Sequence, residues 1–165
     1  MSGPLFQFLA EDHARLDALL QRAASSPGQI DRAAYAEFRA GLLKHISMEE
    51  KLLFPAARRA RGGDPLPLAT KLRLDHGALA ALLVPTPTPG IIAALRTILA
   101  AHNEIEEGPG GVYETCEQLV GKEAAPVLTQ LSTAPEAPVS PHFDGSRALG
   151  AARRALARAG YECEI

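Results

Sequence analysis

Four histidines and two glutamates recur in this chain at a spacing that could build a metal site. They are His13, His45, Glu49, His76, His102 and Glu106. Each glutamate follows a histidine by four residues, so in an α-helix the imidazole and the carboxylate share one face. Each of these two His-x3-Glu units is preceded along the chain by one of the other two histidines. Four nitrogen ligands and two carboxylates, which can bridge cations, suit a pair of iron or manganese ions better than a single zinc.

The alternative is that these are ordinary core or surface histidines beside solvated glutamates. For any one of the six residues alone, that interpretation would be the better one. Two carboxylates buried without a cation would, however, be costly, and the spacing occurs twice. The repeated pattern therefore favours a metal site.

Several polar residues near the six candidates are expected to play lesser roles. Glu50 and Glu107 point about 100° away from the adjacent glutamates on a helix, which predicts surface positions or positions behind the ligands. Asp12 and Asp75 each precede a histidine, and a solvated role is favoured over a hydrogen bond to an imidazole on another helix. Tyr113 would reach the site only if the backbone bends after the second His-x3-Glu unit.

Alanine and leucine predominate and β-branched residues are sparse, which predicts an all-α fold. The predicted helices cover 4–24, 31–61, 65–84, a stretch beginning near 91, 112–121, 123–131 and 146–160. Pro55 is predicted to kink the second helix beyond its ligand pair. Gly108-Pro109-Gly110-Gly111 is predicted to stop or sharply bend the fourth.

The chain also repeats itself, because residues 12–20 and 75–83 share six of nine positions. Each half is predicted to be an αα-hairpin, and two hairpins make an up-down-up-down antiparallel four-helix bundle over 1–132. Residues 133–145 form a Pro-rich linker, in which His142 is expected to be exposed, with an extra metal ligand as the alternative. Residues 146–165 form a helical tail that is expected to be dispensable for metal binding.

Composition excludes several classes of function. The net charge is −2, so there is no basic field for nucleic acid, and no apolar run approaches the roughly 18 residues of a membrane span. The N-terminal residues lack the features of a signal peptide. Two cysteines make no disulfide framework, which indicates a reducing, cytoplasmic setting. The four arginines of the tail are expected to be a solvated face or a docking surface for a protein partner.

These motifs resemble the hemerythrin-like family, the histidine–histidine–glutamate (HHE) cation-binding domains. The resemblance covers about residues 4–121, and its motifs are Asp12-His13, His45-x3-Glu49-Glu50, Asp75-His76 and His102-x3-Glu106-Glu107. It implies a four-helix bundle with two non-haem iron ions, bridged by an oxo or hydroxo group and by two carboxylates. Manganese or zinc could take the place of iron. Ferritin-like bundles use Glu-x-x-His instead, so that class is rejected.

The resemblance implies a protein that binds or reacts with O2, NO or peroxide, as a sensor or in stress or iron handling. The alternatives are a di-iron enzyme (an oxidase, peroxidase or NO reductase) and an iron donor for iron–sulphur cluster repair. Oxygen-carrying hemerythrins have a fifth histidine, and the matching position near Ala80 holds none. Since two irons take about twelve ligands, the six residues and a bridging oxygen would leave about two positions open.

Overall fold

The computed structural model describes residues 2–165, which contain eight α-helices and no strand. The helices are α1 Pro4–Ala23, α2 Arg32–Met48, α3 Phe54–Ala60, α4 Ala69–Leu82, α5 Pro89–Glu107, α6 Val112–Val120, α7 Ala124–Ser132 and α8 Ser146–Ala159. A π-helical turn, Glu49–Leu53, joins α2 to α3, and a 3-10 turn, Gly121–Glu123, joins α6 to α7. The all-α prediction is confirmed. None of the described helices is long and apolar enough to cross a membrane.

Side-chain caps fix the starts of two of the site-bearing helices. The Asp31 carboxylate accepts a hydrogen bond from the Ala34 amide at 3.0 Å, which makes it the N-cap of α2. The Thr88 hydroxyl accepts one from the Ile91 amide at 3.2 Å, so α5 begins at Pro89. Such caps satisfy amides that have no partner within the helix, and proline suits the first helical position because its missing N–H is not needed there.

Two helix boundaries differ from the sequence prediction. α4 begins at Ala69 rather than at 65, because Pro67 disfavours the helical conformation for Leu66. The irregularity expected beyond the ligand pair begins at Glu49 itself, where the chain makes a π-helical turn. The Phe54 amide bonds to the Glu49 carbonyl, five residues back, and Pro55 then opens α3 without an amide to offer.

The hydrophobic core consists of two clusters with a polar layer between them. The first includes Leu16, Phe38, Leu42, Leu79, Leu95 and Ile98. The second includes Leu9, Met48, Leu53, Leu72, Tyr113 and Cys116. α1 packs against α2, α4 against α5 and α1 against α5. Along α1, α2 and α4, each predicted histidine ligand lies between residues of the two clusters, so the polar layer crosses the middle of the helices.

The C-terminal helix packs against α4 and contributes to the first core cluster through Ala152, Ala155, Leu156 and Ala159. The Lys71 ammonium on α4 donates to the Ala159 carbonyl at 2.9 Å and to the Tyr161 hydroxyl at 3.4 Å. The division of the chain at residues 132 and 145 stays a prediction. Removing the contacts between α8 and α4 would test it.

Candidate metal centre

The structure brings the six predicted ligands together within the polar layer. Two overlapping groups of ligand atoms form there, and the atoms of each group lie within 4.8 Å of one another. One group is His13, His45, Glu49 and Glu106, and the other is His76, His102, Glu49 and Glu106. All six side chains are buried, and neither glutamate exposes any surface. Both glutamates belong to both groups, which is compatible with two carboxylates shared by two cations.

Each histidine turns its Nε2 atom toward the glutamates at the centre and its Nδ1 atom toward a carboxylate behind it. The Nδ1–carboxylate pairs are His13–Glu107 at 2.7 Å, His45–Asp12 at 2.8 Å, His76–Glu50 at 2.9 Å and His102–Asp75 at 2.9 Å. A carboxylate that accepts a hydrogen bond from Nδ1–H fixes the tautomer and leaves the Nε2 lone pair for a metal. All four rings therefore present Nε2 to the centre, as metal-binding histidines do.

Among residues 2–165, several polar atoms at the centre have no hydrogen-bond partner. They are Glu49 Oε2, Glu106 Oε2 and His76 Nε2. His76 Nε2 and Glu49 Oε2 approach to 3.0 Å, but not with the geometry of a hydrogen bond. Buried polar atoms normally find partners because leaving them without one is costly. A cation between the converging atoms would supply the missing partner, so the donor set fits a metal.

The HHE cation-binding domain model of the hemerythrin family matches residues 5–109. The chain belongs to this family. The matched stretch contains all six predicted ligands. Comparison with curated proteins found no match, and comparison with solved structures found none either. Family membership and the buried histidine–glutamate groups together indicate a metal-binding site that is compatible with two iron ions.

The acidic residues beside the ligands have more definite places in this HHE domain than their sequence positions indicated. The solvated role favoured for Asp12 and Asp75 is wrong, because each accepts a hydrogen bond from a histidine on the following helix of the site. Asp75 is fully buried and also accepts from the Lys71 ammonium at 2.8 Å. Glu50 and Glu107 lie behind the ligands, one of the two placements expected for them.

Facing carboxylates raise the pKa of three of the four histidines in the absence of a metal. Burial alone lowers the pKa of a histidine, but Glu49 and Asp12 outweigh it and raise the pKa of His45 to about 10. Carboxylates likewise raise the pKa of His102 to about 10 and that of His76 to about 9. Burial alone would raise the pKa of Glu49, but the facing imidazoles of His45 and His76 hold this pKa well below its usual range. Protons therefore compete with cations for this site.

A residue that the sequence indicated only weakly, Tyr113, also reaches the centre. Its hydroxyl lies 2.5 Å from Glu49 Oε1, 3.0 Å from His13 Nε2, 3.1 Å from His45 Nε2 and 3.3 Å from Glu106 Oε1. The side chain is 1% exposed. The glycine-rich turn between α5 and α6 bends the chain as expected, and this bend brings the first turn of α6 back to the site.

His142 takes no part in either group of ligand atoms. It is exposed in the segment before α8, and its Nδ1 atom lies 3.2 Å from the Val84 carbonyl. The neighbouring Phe143 amide bonds to the same carbonyl at 3.0 Å. The expected exposure of His142 is confirmed, and the structure places it with the loop after α4.

Proposed function

We propose that this HHE domain is a non-haem di-iron protein that binds or reacts with O2, NO or peroxide, as a sensor or in stress or iron handling. In this proposal Glu49 and Glu106 bridge the two ions, and the terminal ligands are His13, His45, His76 and His102. The observation that carries the proposal is that both glutamates belong to both groups of ligand atoms.

The two oxygens of Glu49 support a pair of ions rather than one. Oε1 lies 3.0 Å from His45 Nε2, and Oε2 lies 3.0 Å from His76 Nε2. One carboxylate thus faces one histidine of each group. Glu106 Oε1 lies 3.1 Å from His102 Nε2 and 3.4 Å from His13 Nε2, so it too approaches both groups.

Iron is the proposed metal because the donors are imidazole nitrogen and carboxylate oxygen, six in all, with no thiolate among them. Manganese or zinc could bind the same set with a different affinity. When bound, non-haem iron supplies the redox chemistry that O2, NO or peroxide requires. The protein supplies oriented ligands and a site closed to bulk water.

The bundle topology is part of the proposal. α1, α2 continued by α3, α4 and α5 would form an up-down-up-down four-helix bundle with pseudo-two-fold symmetry. The packing of α1 on α2 and of α4 on α5 supports two hairpins, and the packing of α1 on α5 supports their association.

The surroundings of the centre favour a small ligand. A cavity of about 510 Å³, lined by Phe54, Leu72 and His76 among others, approaches the centre from one side. A smaller one of about 260 Å³, lined by Leu16 and His13 among others, approaches it from another. The ligand atoms themselves are buried, so a diatomic molecule or peroxide suits the site better than a bulky substrate.

The first test is the metal content of the full chain grown with adequate iron. We expect two irons per chain in the wild type and loss of iron in His76→Ala. The matched control is His142→Ala, which removes an exposed histidine outside both groups and should retain both ions. A single zinc that is retained after His76→Ala would contradict the proposal.

The second test is rapid mixing of the chemically reduced, iron-loaded protein with O2 and with NO, followed by optical spectroscopy. We expect a prompt spectral change with each gas and, with O2, oxidation of the iron rather than reversible release. Repeating the O2 experiment with excess reductant separates the alternatives, since an enzyme would turn over many times. Iron that does not respond to either gas or to peroxide would contradict the proposed reactivity.

A further inference from the structure

We infer that Tyr113 is a seventh protein ligand, bound through its phenolate oxygen to the metal ion that His13 and His45 hold. This inference rests on the proposed metal pair and deepens it, because it gives the two ions different surroundings. Six residues follow the two-fold repeat of the chain, and Tyr113 lies outside it.

The contacts of the hydroxyl define which ion it would bind. Within residues 2–165 its polar neighbours are His13, His45, Glu49 and Glu106, which together make up one of the two ligand groups. Its hydrogen bonds include no histidine of the other group. The hydroxyl therefore lies among the donors of one ion and away from the second histidine pair.

The hydroxyl's single hydrogen bond cannot satisfy all the acceptors around it once the imidazoles are neutral, as metal ligands must be. The Nδ1 atoms of His13 and His45 then donate to carboxylates, so both Nε2 atoms present lone pairs. With two carboxylate oxygens, four acceptors surround an oxygen that has a single proton to donate. Without a cation, the lone pairs of these atoms repel one another. A cation placed among them would accept those lone pairs as metal–ligand bonds.

Packing holds the phenol ring in this position. The ring contacts Phe6 edge-on at a centroid distance of 6.1 Å and stacks beside His13 at 5.5 Å. Val112 and Cys116, on the same short helix, are also buried in the second core cluster. The hydroxyl is thus preorganised, as a ligand on a rigid element should be.

Binding breaks the phenol O–H bond, passes the proton to solvent and forms an oxygen–metal bond, with no change in electron count. The ion at His13 and His45 would then have two imidazoles, two bridging carboxylates and the phenolate. With a bridging oxygen, that makes about six ligands and a full coordination shell. About one open position remains instead of the two counted from the sequence, and it belongs to the ion at His76 and His102. The cavity of about 510 Å³ that His76 lines is on this side.

The test uses the oxidised, iron-loaded full chain, and its readouts are the visible spectrum and resonance Raman scattering. A phenolate bound to iron(III) gives a visible charge-transfer band that enhances the ring vibrations of tyrosine. We expect both in the wild type, and we expect both to disappear in Tyr113→Phe while two irons per chain remain. Tyr35→Phe is the matched control. Tyr35 is equally buried, but it lies in the first core cluster and its hydroxyl has no hydrogen-bond partner in the described part of the chain.

The chain has three tyrosines, so the assignment does not depend on Tyr113→Phe folding well. If the band and ring modes survive in both Tyr35→Phe and Tyr161→Phe, their source is Tyr113. A wild-type protein with two irons and no bound-phenolate modes would overturn the inference and leave the proposed function standing. A wild-type protein with no metal pair would overturn both.

Discussion

At the scale of single residues, the site depends on orienting imidazoles as much as on supplying them. Each histidine is held at Nδ1 by a carboxylate within 2.9 Å. An imidazole held in this way presents Nε2 to the centre and is a more basic ligand. We therefore expect the four supporting acids to raise the metal affinity without touching the metal.

Asp12→Asn should lower the affinity for iron by about 10–100-fold, the usual effect of removing a carboxylate behind a histidine ligand. The change keeps the shape of the side chain and removes the charge that faces His45 Nδ1. Asp17→Asn is the control on the same helix, because Asp17 is exposed and its side chain accepts a hydrogen bond from Gln21 rather than from a histidine. Competition with a coloured iron chelator measures both variants, and equal affinities would show that Asp12 does not act through His45.

The metal-depleted protein should lose stability as the pH rises from about 6.5 to 10. The pKa values of His45 and His102 are about 10 and that of His76 about 9, against about 6.5 for an unfolded histidine. The folded state binds more protons in this range, so its extra stability is complete below about 6.5 and is lost as the folded groups titrate. Urea unfolding at several pH values measures the trend.

The iron-loaded protein is the control for this prediction. Its histidines are already deprotonated by metal binding, so the decline should be much weaker. A metal-depleted protein whose free energy of unfolding rises between pH 6.5 and 10 would contradict the prediction.

The convergence of the six proposed ligands could be predicted because their spacing on a helix repeats, but the acids behind them could not. The contacts of Asp12 and Asp75 cross from one helix to the next, and they depend on how each helix is rotated about its axis. The Asp-His dipeptide does occur in both halves, and this repetition was the available indication. The position of Tyr113 depends on the direction in which the chain leaves the Gly108–Gly111 turn. The periodicity of α5 does not encode that direction.

At the scale of elements, the turn between α5 and α6 determines whether the chain after α5 reaches the site. Gly110 has φ of +70°, a left-handed conformation that favours glycine. A Cβ atom on Gly111 would lie 2.7 Å from the carbonyl oxygens of Ile105 and Gly108. These contacts are with backbone atoms, which cannot turn aside as a side chain can.

Gly111→Ala should therefore destabilise the protein by about 1–3 kcal/mol, the usual range for overpacking. The backbone shift should also displace α6 and with it Tyr113. Gly77→Ala is the matched control, since its Cβ would meet no atom within 4 Å. In the middle of α4, that change should stabilise by about 0.5–1 kcal/mol. Urea unfolding of both iron-loaded variants decides the matter, and equal effects would show that the turn tolerates a side chain.

Helix positions followed closely from sequence, while helix irregularities did not. The ends of α1, α5 and α8 lie within two residues of their predicted bounds because glycine, proline and capping residues mark them. Pro55 indicated a break in the second helix. Whether a broken helix kinks or widens into a π turn depends on how the surrounding helices pack around Glu49. The sequence of one helix does not contain that information.

At the scale of the whole molecule, α8 covers the first core cluster as α6 and α7 cover the second. The composition of residues 133–145 suggested a separate tail, and the small residues of α8 gave no strong indication of what they would pack against. Alanines 152, 155 and 159 allow a close approach to α4. The docking of α8 thus depends on shape complementarity between two faces, which a pattern of polar and apolar residues does not specify.

A chain truncated after Thr133 should still bind two irons, because all six proposed ligands precede that point. It should nevertheless unfold at lower urea concentration, since the α4 face under α8 would be exposed and Lys71 would lose its Ala159 and Tyr161 partners. In the full chain, Leu156→Ala should lower the free energy of unfolding by about 2–5 kcal/mol. Arg154→Ala, at an exposed position on the same helix, should change stability by less than about 0.5 kcal/mol. Loss of iron on truncation would show that the tail supports the site through Lys71 and Asp75.

The four pairs behind the histidines have a further consequence when they are sorted by the half of the chain that supplies each partner. Both aspartates bond a histidine of their own hairpin, whereas Glu50 and Glu107 bond a histidine of the other one. Each hairpin gives one acid to its counterpart and receives one in return, which is the reciprocity of an isologous dimer. Two identical copies of one such hairpin would make the same set of reciprocal contacts. Tyr113 follows only the second hairpin, so this symmetry does not extend to it.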